Sequence, residues 1–265
     1  HNYTFIHPFD DKAVVAGQGT LGIEMMEDMP DLDVVVVPIG GGGLISGVAT
    51  AVKAMKPSIE VVGAQAELYD AVKAKREGRN GPIGGATLAE GIAVKIPSPD
   101  NLAMIAKLVD RVDSASESEI EKAVFDFLSN EKLVAEGAAG AGLAVIQKNL
   151  EFYKGKKVGL VLCGGNIDSR LLSTLILRGL VRDGRITRLR FEIDDTPGQL
   201  STISGLIGKA GANVIEVIHQ RMMQSVSLKR AELDIVIEAR DFMHVQDIVE
   251  TIRSAGISVQ VMSEV

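Results

Sequence analysis

The strongest constraint on the fold is the stretch VVVVPIGGGGLISG, which runs from Val34 to Gly47. Four aliphatic residues in succession predict a strand that is buried on both faces, as in a parallel sheet covered by helices. Four glycines follow, Gly40 to Gly43, and a helical pattern begins after them. A strand, a glycine-rich turn and a helix N-terminus together can bind an anion, because free backbone N–H groups and the helix dipole point at the ligand.

The glycine run leaves two interpretations open. Without Cβ atoms the loop can approach a phosphate closely, or it can be a close-packed turn that binds nothing. The spacing matches neither G-x-G-x-x-G nor G-x-x-x-x-G-K-[ST], which disfavours dinucleotides and P-loop nucleotides. Phosphate binding is the favoured interpretation of the two.

The pattern of strands and helices predicts two domains. From 1 to 184, buried strands such as IEVVGAQA alternate with helices such as LISGVATAVKAM, which predicts an α/β domain with a parallel sheet covered by helices. Within it, Ser116 and Glu119 form a predicted capping box, and 81–101 is predicted to be one long loop, which is either functional or disordered. From 185 to 265 the order β-α-β-β-α-β, with half-exposed strands, predicts a ferredoxin-like domain.

Composition excludes several classes of function. The 265 residues carry a net charge of −7, and their basic residues are not clustered as nucleic-acid binding requires. The chain has one cysteine, Cys163, which rules out an internal disulfide and fits a reducing compartment. The uncharged run from Val34 to Val52 contains Pro38 and the glycines, which a membrane span would not tolerate. We therefore expect a soluble, cytoplasmic protein that binds small molecules, with no nucleic-acid or membrane partner.

Two further motifs carry candidate site residues. VLCGGN places Cys163 just past the end of a predicted strand, where open α/β sheets bind ligands, although Cys163 could equally be a small buried hydrophobe. Glu136 in VAEGAAGAG either caps a helix or faces a ligand, and the residues alone favour the cap. No cluster of His, Cys and Asp has metal-ligand spacing, so no metal is expected.

Taken in order, HPFDD, AGQGTLGIE, VVVPIGGGGLISG, EGIAVK, EGAAGAG and VLCGGNID resemble threonine ammonia-lyase (threonine dehydratase), a fold type II pyridoxal-phosphate enzyme. The segment DDTPGQLSTISGLIGKAGANV is similar to an ACT regulatory domain. The resemblance covers essentially the whole chain. It implies pyridoxal 5'-phosphate as the cofactor, and deamination of L-threonine to 2-oxobutanoate, or of L-serine to pyruvate, with release of ammonia.

The resemblance also implies roles for single residues in the first domain. Gly91 matches a glycine near the cofactor ring, and Cys163 matches the residue that faces the pyridine nitrogen. Glu136 matches a carboxylate near the substrate side, which reverses its interpretation as a cap. The loop that cradles the cofactor phosphate corresponds to Gly40, Gly41, Gly42, Gly43 and Leu44.

In the second domain the resemblance implies binding of an amino-acid effector. The effector carboxylate is expected at the helix N-terminus near Thr196, Gly198 and Gln199, with Asn213 as a further effector-binding residue. ACT domains pair across subunits, so a homo-oligomer, either a dimer or a tetramer, is expected.

Two departures from the family pattern qualify this picture. The family forms its Schiff base with a lysine in a Ser-Phe-Lys-like segment, and none of the fifteen lysines has that context; Lys95 matches a different position. We therefore expect this chain to be the C-terminal portion of the enzyme, with an incomplete catalytic domain that is inactive alone. Gln65 stands where some relatives have a carboxylate, which argues against a divalent ion there.

Two alternatives to the lyase remain. The first is a serine racemase or a β-replacement enzyme on the same scaffold, against which the ACT domain argues. The second is a non-catalytic chain that senses amino acids, which the missing lysine favours.

Overall fold

The computed structural model describes residues 3–81, 84–220 and 230–262 of the chain. The chain forms two compact units, His1–Ser169 and Arg170–Val265. None of the described helices is both long enough and apolar enough to span a bilayer.

The first unit is built around a parallel sheet of four strands. These are β1 (Val34–Pro38), β2 (Glu60–Ala66), β3 (Arg111–Ala115) and β4 (Val158–Leu160), in the spatial order β3-β2-β1-β4. Val35 and Val37 belong to the apolar core on one face of the sheet, and Val34 and Val36 belong to the core on the other face. All four are fully buried, which confirms the prediction of a parallel sheet covered by helices.

Among the described residues of this unit, seven α-helices cover the sheet. They are α1 (Lys12–Asp28), α2 (Gly43–Met55), α3 (Ala71–Arg76), α4 (Pro99–Leu108), α5 (Glu117–Asp126), α6 (Gly137–Lys148) and α7 (Leu150–Tyr153). The capping box of Ser116 and Glu119 is present at the start of α5, as predicted. The described part of the predicted long loop, in contrast, contains a helical turn at Glu90–Ile92, and the loop ends where α4 begins at Pro99.

Helices α1 and α2 pack with their backbones in close contact, and this depends on glycines. A Cβ atom on Gly47 would come within 2.7 Å of the Gly19 nitrogen, and one on Gly22 would lie 2.9 Å from the Val48 carbonyl oxygen. Since backbone atoms cannot move aside as a flexible side chain can, these positions require glycine. The close crossing fixes α2, and with it the glycine-rich loop that precedes α2.

The second unit contains helix α8 (Ser169–Arg182), except for its first residue, and an antiparallel sheet with two helices. Its elements are β5 (Ile186–Asp194), α9 (Gln199–Lys209), β6 (Asn213–Gln220), β7 (Arg230–Glu238), α10 (Phe242–Ser254) and β8 (Gln260–Met262). The strand order β6-β7-β5-β8 and the chain order β-α-β-β-α-β confirm the ferredoxin-like prediction. Leu189, Phe191 and Leu233 are fully buried in its core with Ile203 and Ile248 from the two helices.

Candidate functional site

The glycine-rich loop leaves β1 and opens directly into α2. Gly42 is the N-cap residue of α2, with φ of 92°, and no side chain caps the helix. The first helical hydrogen bond runs from the Ser46 N–H to the Gly42 carbonyl oxygen at 3.0 Å. The N–H groups of Gly43 and Leu44 therefore have no partner within the helix, and the positive end of the helix dipole lies at this loop.

Each glycine of the loop is crowded by a neighbouring segment. A Cβ on Gly41 would overlap the aromatic ring of Phe9, and one on Gly43 would lie 3.0 Å from the Phe9 Cα. Gly42 has a positive φ that favours glycine, and a Cβ on Gly40 would lie 3.1 Å from the Cα of Ile92. The packing of the protein itself thus requires small residues here, before any ligand is considered.

Glu136 and Gly164 form the opposite side of the site. Glu136 is the N-cap residue of α6, yet its side chain makes no capping hydrogen bond. Its N–H donates to the Gly164 carbonyl oxygen at 3.1 Å. A Cβ on Gly91 would lie 2.8 Å from the Glu136 Oε1, and one on Gly164 would lie 2.5 Å from the Glu136 Cδ. The carboxylate is therefore held between two glycines and not turned onto its own helix.

One cavity of about 380 Å³ joins these two sides. Every residue that the resemblance assigns to cofactor binding lines it, together with Glu136; these are Gly40, Gly41, Gly42, Gly43, Leu44, Gly91 and Cys163. Phe9 and Gln18 complete the wall next to the glycines. Residues more than a hundred positions apart are thus brought into one enclosure at the carboxyl ends of β1 and β4, where parallel sheets bind ligands.

Cys163 is a partly buried free thiol in this cavity. Burial raises the pKa of the Cys163 thiol, and the nearby negative charge of Glu136 raises that pKa further. The thiol is therefore protonated at neutral pH, and it offers a neutral, weakly hydrogen-bonding group.

No lysine among the described residues lines the cavity. Lys95 is exposed, and the end of its side chain lies beside Gly84. Gln65 is fully buried, and both ends of its amide are occupied. Its Nε2 donates to the Tyr69 carbonyl oxygen at 3.2 Å, and its Oε1 accepts from the Lys73 N–H at 3.0 Å. Across the described ranges, no group of three or more His, Cys, Asp or Glu side chains is arranged to hold a metal ion.

The predicted effector residues lie at the start of α9 and of β6. Gly198 is the N-cap residue of α9 with φ of 97°, and no side chain caps this helix. The Gln199 Nε2 donates to the Thr196 Oγ1 at 3.3 Å, and the Thr196 N–H donates to the Asp194 carbonyl oxygen at 2.8 Å. Asn213 is exposed at the first position of β6.

Sequence reasoning missed two residues that shape the glycine-rich loop. Phe9 packs its ring against Gly41, and Asn101 in the first turn of α4 bonds to the backbone of both segments. A usable signal for α4 was present, because Ser98 followed by Pro99 is a typical helix start, with an N-cap residue and proline at the first helical position.

Comparison with known proteins gives concordant matches. Residues 1–164 match the family model described as pyridoxal-phosphate dependent enzyme. An L-threonine ammonia-lyase from Thermotoga maritima is 42% identical over 260 residues, which cover 97% of this chain and 65% of that protein. The chain thus spans 65% of the length of this curated relative.

Solved structures agree with the sequence matches. A threonine deaminase isoform from Solanum lycopersicum superposes with a TM-score of 0.61 at 30% identity, over 65% of this chain and 51% of that one. A serine racemase from Dictyostelium discoideum superposes with a TM-score of 0.57 at 33% identity, over 63% and 55% of the two chains. The family match covers more than half of the sequence, so the chain belongs to the pyridoxal-phosphate dependent enzymes, whose cofactor is pyridoxal phosphate.

Proposed function

We propose that this chain carries the phosphate-binding part of an enzyme that deaminates L-threonine to 2-oxobutanoate and ammonia, and L-serine to pyruvate and ammonia. The observation that supports this most is the uncapped N-terminus of α2, which opens into the same cavity as Cys163 and Glu136. The 42% identity to a relative named L-threonine ammonia-lyase supports the choice of substrate.

The cavity suits pyridoxal phosphate on physical grounds. The free N–H groups of Gly43 and Leu44 bind and orient the phosphate, and the dipole of the 13-residue α2 favours its negative charge. Once bound, the cofactor supplies an electron sink for the negative charge that develops at the substrate Cα. With the cofactor bound, Cys163 would offer a neutral thiol to its ring nitrogen, and the Glu136 carboxylate would accept a proton on the substrate side.

We propose further that none of this chain's lysines forms the Schiff base. No described lysine lines the cavity, and none has the Ser-Phe-Lys-like context of the family. By itself the chain is therefore expected to bind the cofactor through its phosphate and to leave threonine unchanged. Turnover would require the part of the enzyme that this chain does not match, which is about a third of the length of the Thermotoga maritima relative.

A paired binding experiment tests the phosphate site. Equilibrium dialysis should show that the chain binds pyridoxal phosphate much more tightly than pyridoxal. Leu44→Asp should weaken the binding of pyridoxal phosphate at least tenfold, because it places a carboxylate at the start of α2. Thr50→Asp adds the same charge farther along α2 and should stay within twofold of wild type. Equal binding of pyridoxal and pyridoxal phosphate to the wild-type chain would contradict the proposal.

Serine racemisation is the second candidate, because the Dictyostelium discoideum serine racemase matches at 33% identity. The two reactions differ in product. A complete protein that contains this chain should convert L-threonine to 2-oxobutanoate and L-serine to pyruvate. Accumulation of D-serine without ketoacid from L-threonine would favour the racemase.

We also propose that 185–265 is an ACT domain that binds an amino-acid effector and pairs in a homo-oligomer. Its support is the β-α-β-β-α-β order and the uncapped start of α9 at Gly198, next to Thr196 and Gln199, with Asn213 at the start of β6. A thermal-shift screen of the twenty amino acids should find one that raises the unfolding temperature. Gln199→Glu should abolish that shift by repelling the effector carboxylate, whereas the nearby exposed change Ser201→Glu should preserve it.

A further inference from the structure

Asn101 connects the glycine-rich loop to a segment far away in the sequence. Its side chain is 2% exposed, and its Nδ2 donates to the carbonyl oxygen of Phe9 at 2.7 Å and to that of Gly41 at 3.1 Å. An amide nitrogen has two N–H donors, so both are used. One buried side chain thus bonds to two loops that also pack against each other through the ring and the backbone of Phe9.

Ser98 adds a second connection at the same place. Its N–H donates to the Gly41 carbonyl oxygen at 3.4 Å, and its hydroxyl donates to the Asp10 carboxylate while it accepts from the Asn101 N–H at 3.4 Å. The Gly41 carbonyl therefore receives two donors from the start of α4. Ser98 is itself 3% exposed, so water does not compete readily for these bonds.

Two donors on one carbonyl fix the orientation of a whole peptide group. Because the peptide is planar and trans, its C=O and the following N–H point in opposite directions. The bonds that direct the Gly41 carbonyl toward α4 therefore turn the Gly42 N–H away from α4. The positive φ of Gly42 then brings the chain into the first turn of α2.

We propose that Asn101 is a positioning residue for the phosphate of the cofactor. It does not line the cavity of the site, and it acts by holding the Gly41–Gly42 peptide in the orientation that the anion requires. The Phe9 loop is pressed against the glycines by the same amide, so loss of Asn101 frees both walls at once. This inference rests on the proposed phosphate site.

Two variants remove the amide donors. Asn101→Leu replaces them with an apolar group of similar size. The paired change Asp100→Asn with Asn101→Asp keeps the net charge of the first turn of α4 and the shape of residue 101. It also removes the Nδ2 donor from both carbonyls, so the Gly41 carbonyl keeps only the bond from the Ser98 N–H. Asp100 is exposed, so Asp100→Asn alone is the matched control.

Binding and amide exchange are measured on the same proteins. Both variants should bind pyridoxal phosphate at least tenfold more weakly than wild type, and their affinity for pyridoxal should change less than twofold. The control Asp100→Asn should bind both compounds with wild-type affinity. In the ligand-free proteins the Ser98 amide, which donates to Gly41, should exchange with solvent at least tenfold faster in both variants. The Ile39 amide, bonded to the Ala64 carbonyl at 2.7 Å, should be unaffected in any variant that is folded.

The results separate this inference from the proposed function. Wild-type affinity for pyridoxal phosphate in a folded Asn101 variant would overturn the positioning role. If the wild-type chain binds neither pyridoxal phosphate nor inorganic phosphate, the proposed function fails. If, in addition, the Ser98 amide exchanges at the wild-type rate in the Asn101 variants, Asn101 does not hold the Gly41–Gly42 peptide in place either. If the leucine variant does not fold, the charge-balanced pair decides.

Discussion

Gly164→Ala tests whether the Glu136 carboxylate is held where the structure places it. Gly164 has φ of 87°, a conformation that costs a residue with a Cβ about 1–2 kcal/mol. The new Cβ would also lie 2.5 Å from the Glu136 Cδ and 2.8 Å from its Cγ, so this side chain must turn aside. Leaving its rotamer costs about 0.5–1.5 kcal/mol, so the total loss in the free energy of unfolding is about 1.5–3.5 kcal/mol.

The adjacent glycine is the control. Gly165 has no positive φ, and the nearest atom to its added Cβ is the Val134 carbonyl oxygen at an ordinary 3.4 Å. Gly165 is exposed, as Gly164 is, so Gly165→Ala should change the free energy of unfolding by less than about 0.5 kcal/mol. Urea unfolding followed by circular dichroism measures both variants.

A double-mutant cycle separates the two contributions. Glu136→Ala removes the Cγ and Cδ that obstruct the new methyl group, so in that background Gly164→Ala should cost only the backbone strain of about 1–2 kcal/mol. A coupling of about 1 kcal/mol is expected. If Gly164→Ala costs the same with and without the carboxylate, or no more than Gly165→Ala, Glu136 does not lie against Gly164.

Three further changes probe the surroundings of the site and the second unit. Gln65→Glu should lower the free energy of unfolding by about 1–3 kcal/mol, measured by thermal unfolding at pH 7. The Tyr69 carbonyl loses its donor and faces a carboxylate in this variant. Burial, and then the charge of Asp113, raise the pKa of Tyr153 to about 12, so wild-type stability should be full below pH 10 and fall between pH 10 and 12. Tyr153→Phe should remove that loss, and it should be at least as stable as wild type at pH 7, since the buried hydroxyl has no hydrogen-bond partner. Asp234→Ala should lower the free energy of unfolding in urea by about 1–3 kcal/mol, because Arg190 loses the carboxylate to which it donates two hydrogen bonds.

The elements around the glycine-rich loop were predictable because their signals are local. Four consecutive valines, which are β-branched and followed by proline and glycines, favour a strand covered on both faces, and the capping box at Ser116 needs just four residues. Strand β4 is shorter than the run KVGLVLCGGN suggests. Among the described strands it pairs only with β1, from Val158 to Leu160, and it lies at the edge of the sheet, where no second described strand extends the pairing.

The contacts that complete the site could not be predicted in the same way. Phe9 meets Gly41 across 32 positions, and Asn101 meets Phe9 across 92, so neither contact has a periodic or local signal. The start of α4 was hidden in a stretch rich in glycine and proline, although Ser98 and Pro99 mark it. What a sequence pattern conveys is the type of an element; which loops meet at its end depends on the whole fold.

The structure also changes what the four glycines mean. Gly41 and Gly43 make room for Phe9, and Gly42 has the positive φ that leads into α2, so a run of glycines would be needed here without any ligand. The run alone is therefore weak evidence for a phosphate. Stronger evidence comes from the first turn of α2, whose N–H groups no side chain caps although Ser98 and Asn101 bond to the adjacent Gly41 carbonyl. The Gly41 carbonyl is thus fixed by two donors, whereas the N–H groups at the buried start of α2 have no capping side chain. This combination is suited to binding an anion.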